Sequence, residues 1–515
     1  MQSKHWSVLK LDKAAKRGYF RTIDLFAGCG GLSLGFHRAG FHCVSAVELN
    51  EDARKSHETN FSRISPPEGY AAYADITQVT PLDAISHLSP LVPGPESDID
   101  VVIGGPPCQA FSRLGRAAIW DIAQRRYAHG SDERATMYSY FLTYIQVLKP
   151  VAFVLENVRE MGKFVGRNVA EEIAVTAEEF GYEVRYTLLN AVWFGVPQLR
   201  ERMFLVGIRK ELNQVPSFPK IKHKYTLPVG YSTSRAGTGH IEVLSPHDHY
   251  VDHHEYTSRV LPAVSVYDAF LDLPPIDHHL DGRSGKGFPR NVNLRTPYLK
   301  RNNSFTKEMK AWAEFENQTN DFTGHVIRYT PRDYEIFRRM QPGDMYPEAL
   351  QVALEIFEER IVEAEAKSGR KIKEGSAEWQ KIHKSTVPPY KVHRYPNKFR
   401  KMWKDHPART VPAHIGKDSY SHIHFDSEQA RGISLREAAR LQSFPDEFKL
   451  CGSMNSQLTQ IGNAVPPLLA YAVAKNLRSD LMSAWGQVGH TTSTHSPRPI
   501  QYEQPKLCSS PTRRL

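Results

Sequence analysis

The chain has 515 residues, with 66 Lys and Arg against 56 Asp and Glu, for a net charge of +10. With 40% hydrophobic and 24% charged residues it has ordinary globular composition, so disorder is not the default, and its length allows about two to four ordinary domains. No apolar run approaches the ~20 residues needed to cross a bilayer, the start Met1-Gln-Ser-Lys-His-Trp6 has no basic-then-apolar leader, and five scattered cysteines without a C-x-x-C pair fit reduced thiols, so a cytoplasmic protein is expected.

From Arg21 to about Arg209 short apolar runs alternate with amphipathic stretches. The runs predict strands at Thr22 to Phe26, Cys43 to Val47, Val101 to Ile103, Val151 to Leu155, Glu183 to Leu188 and Met203 to Ile208. The stretches between them predict helices at Leu32 to Ala39, Ala135 to Leu148 and Val169 to Phe180. Such alternation implies a doubly wound α/β sheet with its ligands at the carboxyl ends of the strands. Beyond Lys210 the sequence turns irregular and rich in Pro and His until about residue 425, interrupted by a surface helix over Pro347 to Lys367 with Leu350, Leu354, Phe357 and Ile361 on one stripe. Helical spacing returns at Ser434 to Leu441 and Leu468 to Leu477, and a polar tail follows Gly486. The histidines 247, 249, 253 and 254 have no further ligands at zinc-site spacing, so no metal is expected.

Four groups of residues carry chemistry. In "DLFAGCGGLSLGF", residues 24 to 36, a strand enters a Gly-rich turn and then a helix, and Glu48 closes the next strand about 20 residues on, where a carboxylate accepts from ribose hydroxyls. The turn is not G-x-G-x-x-G and has no basic group for a pyrophosphate, so a nucleoside without phosphates fits better than a dinucleotide. Asp75 in "ADIT" is either an acceptor for an adenine amino group or a helix N-terminal carboxylate. In "GGPPCQAFS", residues 104 to 112, Cys108 is held at a strand end by two prolines, which presents it to a cleft as a nucleophile; the alternative is a small buried hydrophobe. Glu156 in "VLENVRE" ends the adjacent strand, where burial would raise its pKa and let it donate a proton to a ring nitrogen; otherwise it caps or pairs. "QLRERMFLVGI", from Gln198, sends Arg200 and Arg202 to one face, suited to a carbonyl, carboxylate or phosphate, or else leaves an exposed basic strand end. Thiol, carboxyl and arginine beside a nucleoside pocket suggest chemistry on an electron-poor heteroaromatic ring.

The ordered set "DLFAGCGGLSLGF", "GGPPCQAFS", "ENVRE", "QLRER", "SLREAARLQSFPDEF" and "IGNAVPPLLA" resembles the DNA (cytosine-5)-methyltransferase family, over most of the chain from Arg21 to about Leu477. The resemblance implies a Rossmann-like methyltransferase sheet and a smaller variable target-recognition domain. The implied division is a first catalytic part over 18–210, recognition over 211–454, a returning segment over 455–480 that completes the catalytic domain, and a disordered tail over 486–515. It implies S-adenosylmethionine as methyl donor, with Phe26, Glu48, Asp75 and Ile76 around the adenosine, Gly28 and Gly30 at the methionine end, and Asn463 and Val465 completing the pocket. Cys108 would add to cytosine C6 while Glu156 acts at N3, Arg202 holds the ring carbonyl, and Arg200 supports the active-site loop or a phosphate. The target base must leave the stack, and the segment Ser112 to Tyr127 after Cys108, with Arg113, Arg116, Arg125 and Arg126, would help hold it out. From Trp379 to Lys404 there are eight Lys or Arg and no acid, interleaved with Tyr390, Tyr395, Phe399 and Trp403, which the resemblance turns into a DNA-contacting stretch. Double-stranded DNA is the implied partner, with room for a cognate restriction endonuclease acting on the same site, and a monomer is implied. Amino-group methyltransferases place an aromatic residue after Asp-Pro-Pro or Asn-Pro-Pro and are disfavoured by Gly105 and Cys108. The tRNA-methylating branch carries a Cys-Phe-Thr motif absent here, and a catalytically silent DNA-binding relative has no chemical reason to keep Cys108, Glu156 and Arg202 together.

Overall fold

Strand β1 (Phe20–Leu25) is buried at all six positions, as a strand covered on both faces must be, its polar Arg21, Thr22 and Asp24 included. The computed structural model describes residues 5–66, 69–88, 97–107, 137–163, 168–227, 249–252, 255–280 and 291–489. With β2 (Phe41–Val47), β3 (Ala71–Tyr73), β4 (Val101–Gly104), β5 (Ala152–Asn157), β6 (Tyr182–Asn190) and β7 (Glu201–Arg209), β1 forms a seven-stranded sheet in the order β3-β2-β1-β4-β5-β7-β6. Strands β1 to β5 pair in parallel; β7 runs antiparallel to both β5 and β6. The strand order reverses beside β1, so the carboxyl ends of β1 and β4 open the crevice where doubly wound sheets bind ligands.

Side-chain alternation divides the core in two. Phe20, Val101 and Ile103 pack on one face, with helices α1 (Trp6–Arg17) and α2 (Gly31–Arg38), whereas Ile23, Leu25 and Val102 pack on the other, with α4 (Met137–Leu148) and α5 (Val169–Glu179). Helix α3 (Glu51–Phe61) follows β2, its first turn capped by the Asn50 side chain. The opening helix α1 lies outside the sequence expectations. Its buried Val8, Leu11 and Ala14, followed by Lys16, Arg17 and the left-handed Gly18, carry the signal that would have found it.

The chain returns to this sheet at its far end. Helix α8 (Leu435–Leu441) and α9 (Met454–Asn463) lead into α10 (Pro467–Gly489), which lies along α2 with Leu469, Val473, Leu477 and Leu481 in the first core. Gly35 makes that approach feasible: a Cβ there would lie 2.4 Å from the Tyr471 backbone nitrogen and 2.6 Å from the Pro467 carbonyl. Since the obstacle is backbone, Gly35→Val is expected to destabilise the protein by about 1–3 kcal/mol, read as a lower urea midpoint. The expected tail from 486 is corrected at its start, because α10 continues through Gly489, with Trp485 donating to Asp12 Oδ1 at 3.2 Å. Residues 490–515 lie outside the described residues.

The region expected to form one recognition domain divides its side chains between two cores. Phe270, Trp312, Phe322, Val411 and Leu435 join the core of the sheet. A separate cluster gathers Phe337, Met340, Tyr346, Ile356, Phe399 and Ile423 around the first turns of α6 (Tyr346–Ser368). On α6 the buried stripe is Ala349, Ala353, Ile356 and Phe357, so the expected stripe is corrected at Leu354, which is 42% exposed.

Candidate active site

The turn after β1 is built from unusual backbone. Phe26 has φ of 60° and Gly28 of 56°; for a phenylalanine this left-handed geometry costs energy and persists where the surroundings impose it. Here Ala27 N donates to Val47 O at 3.1 Å, and Gly28 N to Glu48 Oε2 at 2.9 Å. Glu48 Oε1 accepts from Asn50 N at 2.7 Å. Burial raises the Glu48 carboxyl pKa, and these two N–H groups hold it back. Asp75 Oδ1 accepts from the amide and hydroxyl of Thr77 at 2.9 and 2.8 Å. That is the local capping role weighed for it, yet Asp75 and the buried Ile76 both also face the same cavity as Glu48.

The cavity holds about 1150 Å³ and runs from this turn to the ends of β4, β5 and β7. Phe26, Gly28, Glu48, Asp75, Ile76, Glu156, Arg200, Arg202, Asn463 and Val465 all line it, so residues up to 439 positions apart in sequence meet in one space. Gly30 is not among the lining residues. A side chain there would strike Phe61 at 2.4 Å and His57 at 3.0 Å, so Gly30 lies against α3 rather than at the cavity wall. Sequence reasoning missed Asp24, Thr410, Asn455 and Thr459, which also line it.

At the other end, Glu156 is buried, with Oε1 2.9 Å from Arg202 Nε and Oε2 2.9 Å from where a Gly105 Cβ would stand. Burial pushes its carboxyl above the ordinary range, against the pull of Arg202 and Arg200. Asn157 Nδ2 donates to Pro106 O at 2.8 Å and so fixes the proline pair to the end of β5. Pro107 lines the cavity. Cys108 itself, the segment Ser112 to Tyr127 and its arginines lie outside the described residues, as do His247, His253 and His254. Cys29 also borders the cavity, but burial pushes its thiol up to about 12, which leaves it protonated at neutral pH.

Arg200 is 1% exposed, and its guanidinium donates to the carbonyls of Val411 and Gly462, both at 3.0 Å, and of Asn463 at 3.5 Å. These bonds tie the residue that precedes β7 to chain more than 200 residues away. Gln442 acts beside it: its Nε2 donates to Ile461 O at 2.5 Å and Ala464 O at 3.2 Å, while its Oε1 accepts from Gln198 Nε2 at 2.9 Å. Between them these side chains shape the turn that carries Asn463 and Val465.

His249 forms a hydrogen bond with Glu171 at 2.6 Å, and that bond raises its pKa. In the basic stretch, Trp379 and His383 belong to α7 (Ala377–Thr386) and pack on Phe357. Phe399 is buried, and Lys401 is buried with its ammonium on the carbonyls of Phe337 and Met340. Lys391, Arg394, Tyr395, Trp403 and Lys404 remain exposed, Trp403 by 56%.

A doubly wound sheet whose crevice pairs a nucleoside-type turn with a buried Glu–Arg pair is the class of fold found in methyltransferases. The C-5 cytosine-specific DNA methylase family model matches residues 20–259 and 302–479, and the chain belongs to that family: it is a DNA cytosine-5 methyltransferase. It is similar to M.OihORF3336P of Oceanobacillus iheyensis, at 34% identity over 460 residues that cover 89% of this chain and 95% of the relative. It is also similar to type II methyltransferase M.AgeI of Thalassovita gelatinovora, at 30% identity over 475 residues covering 89% and 99%. Among solved structures, a candidate DNA modification methyltransferase encoded within an E. coli prophage shares the fold, with a TM-score of 0.56 at 21% identity over 90% of this chain and 99% of that one. Among the described residues no helix is long and apolar enough to cross a membrane.

Proposed function

We propose that the protein transfers a methyl group from S-adenosylmethionine to C5 of a cytosine extruded from a specific double-stranded DNA sequence, through a covalent bond between Cys108 and C6. The observation that carries this proposal is the buried Glu156–Arg202 pair sharing one cavity with the Glu48 turn. The cofactor fits the residues present: Glu48 is held by two backbone N–H groups with acceptor capacity left for ribose hydroxyls, and the enclosed Asp24 Oδ1 lacks a donor that an ammonium would supply. Glu48, Asp75, Ile76, Asn463 and Val465 would hold it. When bound, it supplies an electrophilic methyl on a sulfonium.

The protein's task is to make C5 nucleophilic. Addition of the Cys108 thiolate to C6 forms one C–S bond, and the proton Glu156 gives to N3 receives the displaced electron pair, leaving C5 as an enamine carbon. Arg202 keeps Glu156 in place and contacts the ring carbonyl. C5 would then bond the methyl carbon as that carbon parts from the sulfonium sulfur, which leaves as a neutral thioether; once the C5 proton has left, the bond between Cys108 and C6 breaks, the ring double bond returns, and N3 gives its proton back to Glu156. Incubation with unmethylated DNA and methyl-labelled cofactor, followed by digestion to nucleosides, tests the proposal: labelled 5-methylcytosine supports it, and label confined to RNA or absent altogether refutes it.

The exposed Lys391 and Arg394 would sit on DNA phosphates. Their double substitution by alanine is expected to reduce the slope of log affinity against log salt by about 2, at roughly 0.9 per phosphate contact, without changing cofactor affinity. An unchanged slope would remove them from the DNA surface. Because relatives are named type II methyltransferases, we also propose that a restriction endonuclease of the same specificity accompanies the protein, which is tested by whether DNA it has modified resists that nuclease.

A further inference from the structure

The Gly-rich turn rests on a buried polar chain that methyl transfer, as proposed, leaves unused. Asp24, in β1, is 1% exposed and borders the cavity. Its Oδ2 accepts the Ser33 hydroxyl at 2.6 Å, while its enclosed Oδ1 has no partner. Ser33 Oγ lies 3.2 Å from His57 Nε2, and His57 Nδ1 lies 2.7 Å from the Tyr70 hydroxyl. His57 is fully buried, with its ring 4.2 Å from that of Phe61 and nearly parallel to that of Tyr70.

Counting donors gives the chain a direction. A carboxylate only accepts, so the single Ser33 proton goes to Asp24. The His57 nitrogen facing Ser33 Oγ must then carry hydrogen and donate, which leaves Nδ1 to accept from Tyr70 O–H. Each group is satisfied by its neighbour except the last, Asp24 Oδ1. A buried carboxylate oxygen without a donor is costly until one arrives. Asp24 lines the same cavity as Glu48 and Glu156, so a ligand reaching from the ribose side to the base side passes by it. Resting on the cofactor site proposed above, we infer that Tyr70, His57 and Ser33 form a relay that presents Asp24 Oδ1 to the ammonium of the methionine moiety, with His57 as its central positioning residue.

Calorimetric affinities for two ligands test this in the full-length protein: S-adenosylhomocysteine, which carries the ammonium, and 5′-methylthioadenosine, which lacks it. His57→Phe is expected to weaken the first roughly tenfold, the size of one hydrogen bond to a charged group, and to leave the second unchanged. The cofactor KM rises with kcat retained. His57→Gln, whose amide can both donate to Ser33 and accept from Tyr70, restores affinity, and Tyr70→Phe moves it the same way by less, which keeps the test open if His57→Phe does not fold. Equal weakening of both ligands would mean that His57 acts only by packing beneath Gly30, and no change in either would mean that the relay is idle; each result overturns the inference. Wild-type protein that binds neither ligand would instead overturn the cofactor site itself.

Discussion

Cys108→Ala is expected to reduce the formation of 5-methylcytosine to background, a loss of more than about 1000-fold, while affinity for S-adenosylhomocysteine stays at its wild-type value. Cytosine C5 does not attack a methyl group unaided, and the activation proposed here depends on a sulfur atom at C6. Cys29, which borders the cavity, cannot substitute, since burial holds its thiol at about 12 and its sulfur faces the Gln460 carbonyl at 3.8 Å. Scintillation counting of digested DNA measures the effect. Turnover within about tenfold of wild type would rule out a covalent route through Cys108.

Glu156→Gln should lower kcat by about 10²–10⁴-fold, the range of a lost general acid, with DNA affinity changed by less than about twofold. The amide keeps the shape and can still face Arg202 but has no proton to give N3. The sign of the pH dependence follows from burial. Because the folded-state carboxyl is raised, its protonated form survives to higher pH than that of an ordinary glutamate and is lost as pH climbs through that raised value. Wild-type kcat should therefore fall on the alkaline side, and Glu156→Gln should lack that limb. Equal losses of turnover and DNA affinity would assign Glu156 to holding DNA instead of protonating it.

The strands that carry the chemistry were legible because they are covered on both faces. β4 and β5 appear in the sequence as apolar runs and β1 as apolar residues alternating with buried polar ones, and their predicted limits differ from the observed ones by no more than two residues. Glu48 and Glu156 stood out for the same reason, as carboxylates just where those runs stop. Alternation placed Arg200 and Arg202 on one side but could not name their partners: Arg202 meets Glu156, whereas Arg200 meets carbonyls more than 200 residues away. Thr410, Asn455 and Thr459 escaped notice because they reach the cavity only through long-range folding, which leaves no local periodicity, and Gln442 because its partners Gln198, Ile461 and Ala464 are distant in sequence. Between Lys210 and residue 407, pairings as short as Thr296–Pro297 with Asp321–Phe322 contain too few residues to show a period at all. On α6, Leu354 was misplaced because alanines at 349 and 353, rather than the larger leucine, face the neighbouring elements.

The seating of α10 against Gly35 has a consequence for biosynthesis. The pocket wall bearing Asn463 and Val465 leaves the ribosome more than 430 residues after the turn bearing Phe26 and Gly28. At about 5–20 residues per second, that interval lasts roughly 20–90 s, and until it ends the nascent sheet lacks one wall of its cavity. A message cut short before codon 463 therefore yields a sheet with an open pocket, so translation through α10 is a condition for an assembled site.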